Sequence, residues 1–297
     1  MQYWGIDLGG TKIEGAVLDS LEDPKPLARL RLPTEQEKGY RHILGQIRAV
    51  LDMLKKETGQ SPKVIGIGTP GVLDPRTQTL KNSNTLCLNG QPLKKDLIEL
   101  LGVPIEMAND ANCFALAEAV LGAGRGAETV FGVILGTGCG GGVVVNRKAI
   151  YGCQGIAGEW GHNILIPDGA PCYCGKRGCV EMVISGTALE AYYESIAGNR
   201  LRLKEIVARA RAKSDPHAEA TLKRLIEQFG RAISNIINIL DPHAIVLGGG
   251  VSNVDELYTE GAQEAAKYIF NNRFDTPIVR HALGDSAGVF GAAMLTL

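Results

Sequence analysis

An α/β chain of two similar lobes is predicted by three features: short apolar runs alternating with longer helical patterns, a strand, glycine turn, strand pattern that occurs twice, and a length of 297 residues. That length suits roughly two domains of about 150 residues each. With 45% apolar side chains, a large core forms without disulfides.

Tyr3 to Leu8 reads as a strand, Gly9-Gly10 as a tight turn and Lys12 to Leu18 as the returning strand, a hairpin whose tip is backbone alone. A helix follows around Tyr40 to Glu57. Val64 to Gly68 is a buried strand ending in Thr69-Pro70-Gly71, and Ile105 to Ala108 is another, leading into Asn109-Asp110-Ala111-Asn112. Cys113, Phe114, Leu116, Ala117 and Val120 continue as a helix. The pattern from Gly5 to Leu18 then aligns without gaps on Gly132 to Val145, so the glycine-rich turn Leu135 to Gly142 is a second hairpin tip. Leu222, Leu225, Ile226, Phe229, Ala232, Ile233, Ile236 and Ile237 mark a long core helix, followed by the strand Ala244 to Leu247 and the turn Gly248-Gly249-Gly250. The predicted lobes are 1–119, with the first hairpin and Asp110, and 120–297, with the second hairpin and the clustered cysteines; the last helix packs back on the first lobe.

A formal net charge of -1 lacks the electrostatic footprint of a nucleic-acid binder. The N-terminus has no basic segment followed by a long apolar run, and no uncharged stretch approaches the roughly 18 apolar residues of a membrane span. A cytoplasmic protein with small-molecule partners is expected, assembled as a homodimer or larger homo-oligomer. Seven cysteines, three of them clustered, fit a reducing compartment and one metal site.

The chemistry concentrates between Leu135 and Glu181. Gly136 to Gly141 satisfies the dinucleotide fingerprint G-x-G-x-x-G, but that motif must open a helix, and here it opens the strand Val143 to Val145. No G-x-x-x-x-G-K-[ST] loop occurs. Glycines let backbone N–H groups approach a polyphosphate. His162, Cys172, Cys174 and Cys179 can complete a tetrahedral zinc site; with all four positions filled by protein, that site is closed and structural. Cys87, Cys113, Cys139 and Cys153 lack ligand spacing and read as small buried hydrophobes. A phosphate cradle, the carboxylates Glu159 and Glu181 and a metal-ligand set together point to phosphoryl transfer onto a small polar acceptor. Simpler readings stand beside these: Asp110 as a helix N-cap, Asp7 as a turn cap, Lys12 as a solvated strand residue, Glu159 and Glu181 as surface charges, and Gly248 to Gly250 as a plain strand-to-helix loop.

Asp7-Leu8-Gly9-Gly10-Thr11-Lys12, Asn109-Asp110-Ala111-Asn112, Leu135 to Gly142, Glu159-x-x-His162 and the Cys-x-Cys-x4-Cys cluster ending in Glu181 resemble the ROK family of sugar kinases, repressors and open reading frames. The resemblance spans nearly the whole chain. Ala157 to Asn163, Pro171 to Lys176, Asn89 to Pro92 and Gly249 to Asp255 look most like the bacterial fructokinases that also accept mannose, with the N-acetylglucosamine kinases close behind.

The resemblance implies an actin-like, hexokinase-type (ribonuclease H-like) fold whose lobes close over sugar and Mg-ATP. It makes Asp110 the general base and assigns the sugar to Gly71, Asn84, Asn109, Asp110, Glu159, His162 and Glu181. Asp7, Gly9, Gly10, Thr11, Lys12, Gly136, Thr137, Gly138, Gly140, Gly249 and Gly250 would hold ATP and Mg2+. His162, Cys172, Cys174 and Cys179 would hold a structural Zn2+. The implied reaction is phosphorylation of the 6-hydroxyl of fructose or mannose, with N-acetylglucosamine, N-acetylmannosamine and glucose as alternative acceptors. The loop Asn84 to Asn89, which should line the pocket, lacks the tryptophan often seen there, so the sequence does not rank these sugars. The family's repressors carry a helix-turn-helix domain ahead of the first lobe, whereas this chain begins on the first strand, which favours the kinase.

Overall fold

The computed structural model describes residues 2–22 and 24–297. Strands β1 (Tyr3–Leu8) and β2 (Lys12–Leu18) pair antiparallel with Leu8 opposite Ile13, so the chain reverses over Gly9, Gly10 and Thr11. β3 (Pro26–Pro33), not anticipated from the sequence, pairs antiparallel with β2. Its Arg29 and Arg31 interrupt the apolar pattern because they pair with buried Glu14 of β2: the Arg29 guanidinium binds one carboxylate oxygen, and Arg31 Nε lies 2.9 Å from the other.

Helix α1 (Tyr40–Thr58) buries Ile43, Ile47, Val50, Leu51 and Leu54, a helical stripe that covers β2 and β3. It ends at Gly59 in the left-handed conformation. β4 (Ile65–Thr69), the short hairpin β5 (Val72–Leu73) and β6 (Leu80–Lys81), α2 (Leu93–Leu101), β7 (Ile105–Asn109) and α3 (Asp110–Val120) follow. The first sheet has the order β3-β2-β1-β4-β7, with β1, β4 and β7 parallel. Ligands of such sheets bind beyond the carboxyl ends of the parallel strands, and those ends here are Asp7-Leu8, Thr69 and Asn109.

A second sheet has the order β10-β9-β8-β11-β12, built from β8 (Thr129–Leu135), β9 (Cys139–Val145), β10 (Lys148–Ile150), β11 (Ala244–Gly248) and β12 (Ile278–Arg280). Since β9 begins at Cys139, the second turn is only Gly136-Thr137-Gly138, shorter than the eight residues read from the sequence. Gly140 to Gly142 are strand residues, and at Gly142 glycine serves packing: a Cβ there would lie 2.7 Å from the Ala111 carbonyl oxygen of α3. The helices α4 (Glu181–Ile184), α5 (Gly186–Ala197), α6 (Leu203–Arg211), α7 (Pro216–Leu240) and α8 (Glu260–Ala266) precede or follow β11, and α9 (Ala287–Met294) comes after β12. Helix α7 opens on Asp215, whose side chain accepts from the amides of His217 and Ala218.

The chain divides into two compact units, one of Met1–Gly132, Gly142–Gly158 and Ala282–Leu297, the other of Val133–Gly141 and Glu159–His281. Within the first, α9 lies on β1, β4 and α3. Small residues permit that contact; a Cβ on Gly66 would fall 1.7 Å from the Ala292 carbonyl oxygen. Fully buried Glu118 of α3 accepts the amides of Ala123, Ala282 and Leu283 at 2.9 to 3.1 Å, tying the returning chain to α3. Among the described residues, no helix is long and apolar enough to cross a membrane.

Candidate functional site

In the first unit two carboxylates stand at the carboxyl ends of parallel strands. Asp7 is wedged between backbones: a Cβ on Gly68 would lie 3.2 Å from Oδ1, and one on Gly288 2.7 Å from Oδ2. Burial pushes its pKa up to about 6; the charges of Asp110 and Glu14 add to the rise and Lys12 opposes it. Lys12 itself spends Nζ on Glu14 at 3.2 Å. Asp110 keeps solvent access, yet the protein packed around it removes enough water to raise its carboxyl, against the pull of the Ala111 amide that donates to Oδ1 at 2.8 Å.

The N-cap of α3 is Asn109, whose Oδ1 accepts from the Asn112 amide at 2.9 Å. The reading of Asp110 as the cap is therefore corrected. Asp110 is the first helical residue, and the cap requires the extended backbone that Asn109 has. Two neighbouring carboxyls, both raised, are a pattern of proton-transfer and cation sites.

The first hairpin tip is closed by the Gly9 amide on the Lys12 carbonyl at 2.9 Å, and the Thr34 hydroxyl donates to the Gly9 carbonyl at 2.7 Å. Gly71 follows β4, its carbonyl accepting the Thr69 hydroxyl at 2.8 Å. Exposed Asn84 sits in a loop whose ends are locked by Ser83 and Asn89, which exchange two bonds of 2.9 Å.

In the second unit, neighbouring segments hold the turn Gly136-Thr137-Gly138. The Gly136 carbonyl accepts the Gly186 amide at 2.7 Å and the Thr137 carbonyl accepts the Thr187 hydroxyl at 2.6 Å. Glu181, first residue of α4, accepts the Cys139 amide on Oε2 at 2.9 Å. Gly249 lies against Leu135, so the turn after β11 adjoins the end of β8. Exposed Gly250 opens a 3-10 turn. Gly140 sits within β9, and its carbonyl accepts the indole N–H of Trp160 at 2.9 Å. Gly186 and Thr187 went unnoticed in the sequence; Ser185, the side-chain N-cap of α5, was the available signal.

Gly161 explains how Glu159 and His162 are placed. A Cβ there would lie 1.9 Å from the Cys139 carbonyl oxygen, so only glycine lets this short turn press on β9. Glu159 Oε2 is 3.9 Å from His162 Nε2.

His162, Cys172, Cys174 and Cys179 bring their four donor atoms within 4.8 Å of one another. Cys172 Sγ lies 3.6 Å from His162 Nδ1, and Cys174 Sγ 3.6 Å from Cys179 Sγ. Zinc bonds of about 2.3 Å to sulfur and about 2.0 Å to nitrogen give tetrahedral edges of roughly 3.5–3.8 Å. A disulfide would need about 2.05 Å. The donor set and its spacing therefore fit a metal ion. Of the other cysteines, Cys113 and Cys139 are buried as expected, but Cys87 is half-buried and Cys153 exposed. Cys153 falls in an exposed turn after β10, outside any strand or helix.

The ROK family model matches residues 3–297. The chain belongs to the ROK family. Among curated ROK relatives, the N-acetyl-D-glucosamine kinase of Aliivibrio fischeri is 36% identical over 306 aligned positions and that of Yersinia pseudotuberculosis 37% over 305, each covering 99% of both chains. Among solved structures, the ROK hexokinase of Thermus thermophilus superposes with a TM-score of 0.89 at 34% identity, over 99% of this chain and 97% of that one. A ROK glucokinase from Streptomyces griseus, in complex with glucose and AMPPNP, gives 0.79 at 29% identity over 99% of each. The fold is the actin-like, hexokinase-type fold of these ROK kinases.

Proposed function

We propose that this ROK protein is an ATP-dependent sugar kinase that transfers the γ-phosphoryl group of ATP to the 6-hydroxyl of a hexose. The observation that carries the reading is Asp110, a solvent-accessible carboxylate of raised pKa at the carboxyl end of a parallel strand, electrostatically coupled to Asp7 beside a glycine hairpin. Asp110 accepts the hydroxyl proton as the hydroxyl oxygen bonds to the γ-phosphorus. The bond from that phosphorus to the β–γ bridging oxygen breaks, and ADP leaves.

Asp7 suits a hard cation. It is an oxygen donor whose negative charge Lys12, bonded to Glu14, offsets only in part. Mg2+ held there would supply charge neutralisation at the phosphates. Backbone amides of the two glycine turns receive phosphate oxygens, and the turn at Gly249 and Gly250 receives the adenosine. Gly71, Asn84 and Asn109, with Glu159, His162 and Glu181, bind acceptor hydroxyls. His162, Cys172, Cys174 and Cys179 would hold Zn2+, which would fix the His162 ring.

For the acceptor we favour fructose and mannose, supported by the fructokinase-like segments Ala157 to Asn163 and Pro171 to Lys176. N-acetylglucosamine is the second reading, supported by the named activity of the curated relatives. ADP release measured over fructose, mannose, glucose and N-acetylglucosamine decides between them. A specificity constant for N-acetylglucosamine far above those of both free hexoses overturns the first reading, and no release with any acceptor overturns the kinase.

A further inference from the structure

Tyr173, between two of the clustered cysteines, is 80% exposed. Its hydroxyl nevertheless lies 3.0 Å from His162 Nε2, and its ring meets the imidazole edge-on at 5.2 Å between centroids. The same imidazole turns Nδ1 toward Cys172 Sγ. A metal ion at Nδ1 uses the lone pair of that nitrogen, which leaves the ring proton on Nε2. Nε2 is then a donor with one hydrogen, and the oxygen within hydrogen-bond distance of it is the Tyr173 phenol at 3.0 Å, the Glu159 carboxylate lying farther off at 3.9 Å.

We propose that Tyr173 is a displaceable cap on the acceptor site: in the sugar-free protein its hydroxyl takes the His162 N–H that an acceptor hydroxyl takes in the complex. The proposal rests on the kinase reading, in which His162 contacts the sugar. One N–H holds one oxygen well, so phenol and sugar compete for it. Tyr173 is suited to leave, because an exposed ring gives up little packing and its hydroxyl finds water when it swings out. Its place between Cys172 and Cys174 keeps it within reach and returns it to His162 when the product departs. The cap thus shields the polar N–H while no acceptor is present and lowers the affinity for every sugar that bonds it.

Tyr173→Phe keeps the ring and its edge-on contact and removes only the competing oxygen. In calorimetric titrations of the zinc-loaded, nucleotide-free protein, the Kd of each acceptor should fall about 2- to 10-fold, the worth of one exposed hydrogen bond. The factor should be the same for fructose, mannose and N-acetylglucosamine, and KM should fall with it. An unchanged or higher Kd overturns the proposal, since the phenol then either does not compete or itself binds the sugar. Unequal factors among the acceptors overturn it too, as does a zinc content below that of the unmodified protein, which would make Tyr173 part of the metal loop. Absence of ADP release by the unmodified protein with every hexose is a different result and fails the kinase reading instead.

Discussion

The first hairpin turns over Gly9-Gly10-Thr11 with Asp7 near the end of the incoming strand and Lys12 at the start of the outgoing one. The second turns over Gly136-Thr137-Gly138, and in the gapless alignment of the two the matching positions are Ile134 and Cys139. The glycines recur and the charges do not. Asp7, Lys12 and Glu14 give the first hairpin its own electrostatics. At the second, the carboxylate arrives from α4, as Glu181 on the Cys139 amide, and Gly186 and Thr187 of α5 hold the tip. A repeat can therefore conserve what the backbone must do while each copy acquires different chemistry. On the proposed reading, the first region moves a proton and attracts a cation, and the second holds a turn and the histidine of the candidate metal cluster in fixed positions.

Asp110→Asn tests the first half of that contrast most severely. Turnover should fall by about 10²- to 10⁴-fold, the usual worth of a general base, while calorimetry still detects sugar binding. Near-normal turnover would remove Asp110 from the base role. The second half is tested by Cys179→Ser, which should lower zinc content and sugar affinity together, by about 10- to 100-fold, with nucleotide affinity retained. Zinc-free protein with unchanged sugar affinity would show that the cluster does not organise the acceptor site.

The smallest effect is a pH dependence of stability. The Asp7 carboxyl titrates near 6 in the folded protein against 3.8 for the ordinary group. Between those values the folded state binds more protons than the unfolded state, so stability falls as pH rises from about 4 to about 6. Asp7→Asn has no such proton to lose. In EDTA, the variant should gain about 1–2 kcal/mol relative to the unmodified protein across that window and nothing further above it, less than the full shift because Asp7 retains some solvent contact. Denaturant titrations at several pH values read this directly; a constant difference would mean that Asp7 stays ionised throughout.

Much of this was legible because glycines and apolar runs report backbone geometry locally. Tyr3 to Leu8 and Lys12 to Leu18 match the sequence reading to the residue, and His162, Cys172, Cys174 and Cys179, picked out with the help of the family resemblance, do cluster. What escaped depended on partners distant in sequence. Arg29 and Arg31 look like surface charges until Glu14 is placed opposite them, so β3 was invisible. The glycines of 140–142 look like turn residues until Ala111 of α3 is seen packed on Gly142. Asn109 and Asp110 are both good caps, and only the backbone conformation at the end of β7 chooses between them. The grip of Thr187 on the Thr137 carbonyl has only Ser185, the N-cap of α5, as a local sign.

The position of α9 sets the order in which this protein is finished as it is made. A chain synthesised from its N-terminus produces β1, β4 and α3 early, then the whole of the second unit, and only afterwards the helix that covers them. During that interval the apolar faces awaiting α9 are bare, and Glu118 has the Ala123 amide but not those of Ala282 and Leu283. Of the two units, the one that carries Asp7 and Asp110 is therefore begun before the other and completed after it, and until α9 docks it exposes apolar surface open to misassociation and chaperone capture.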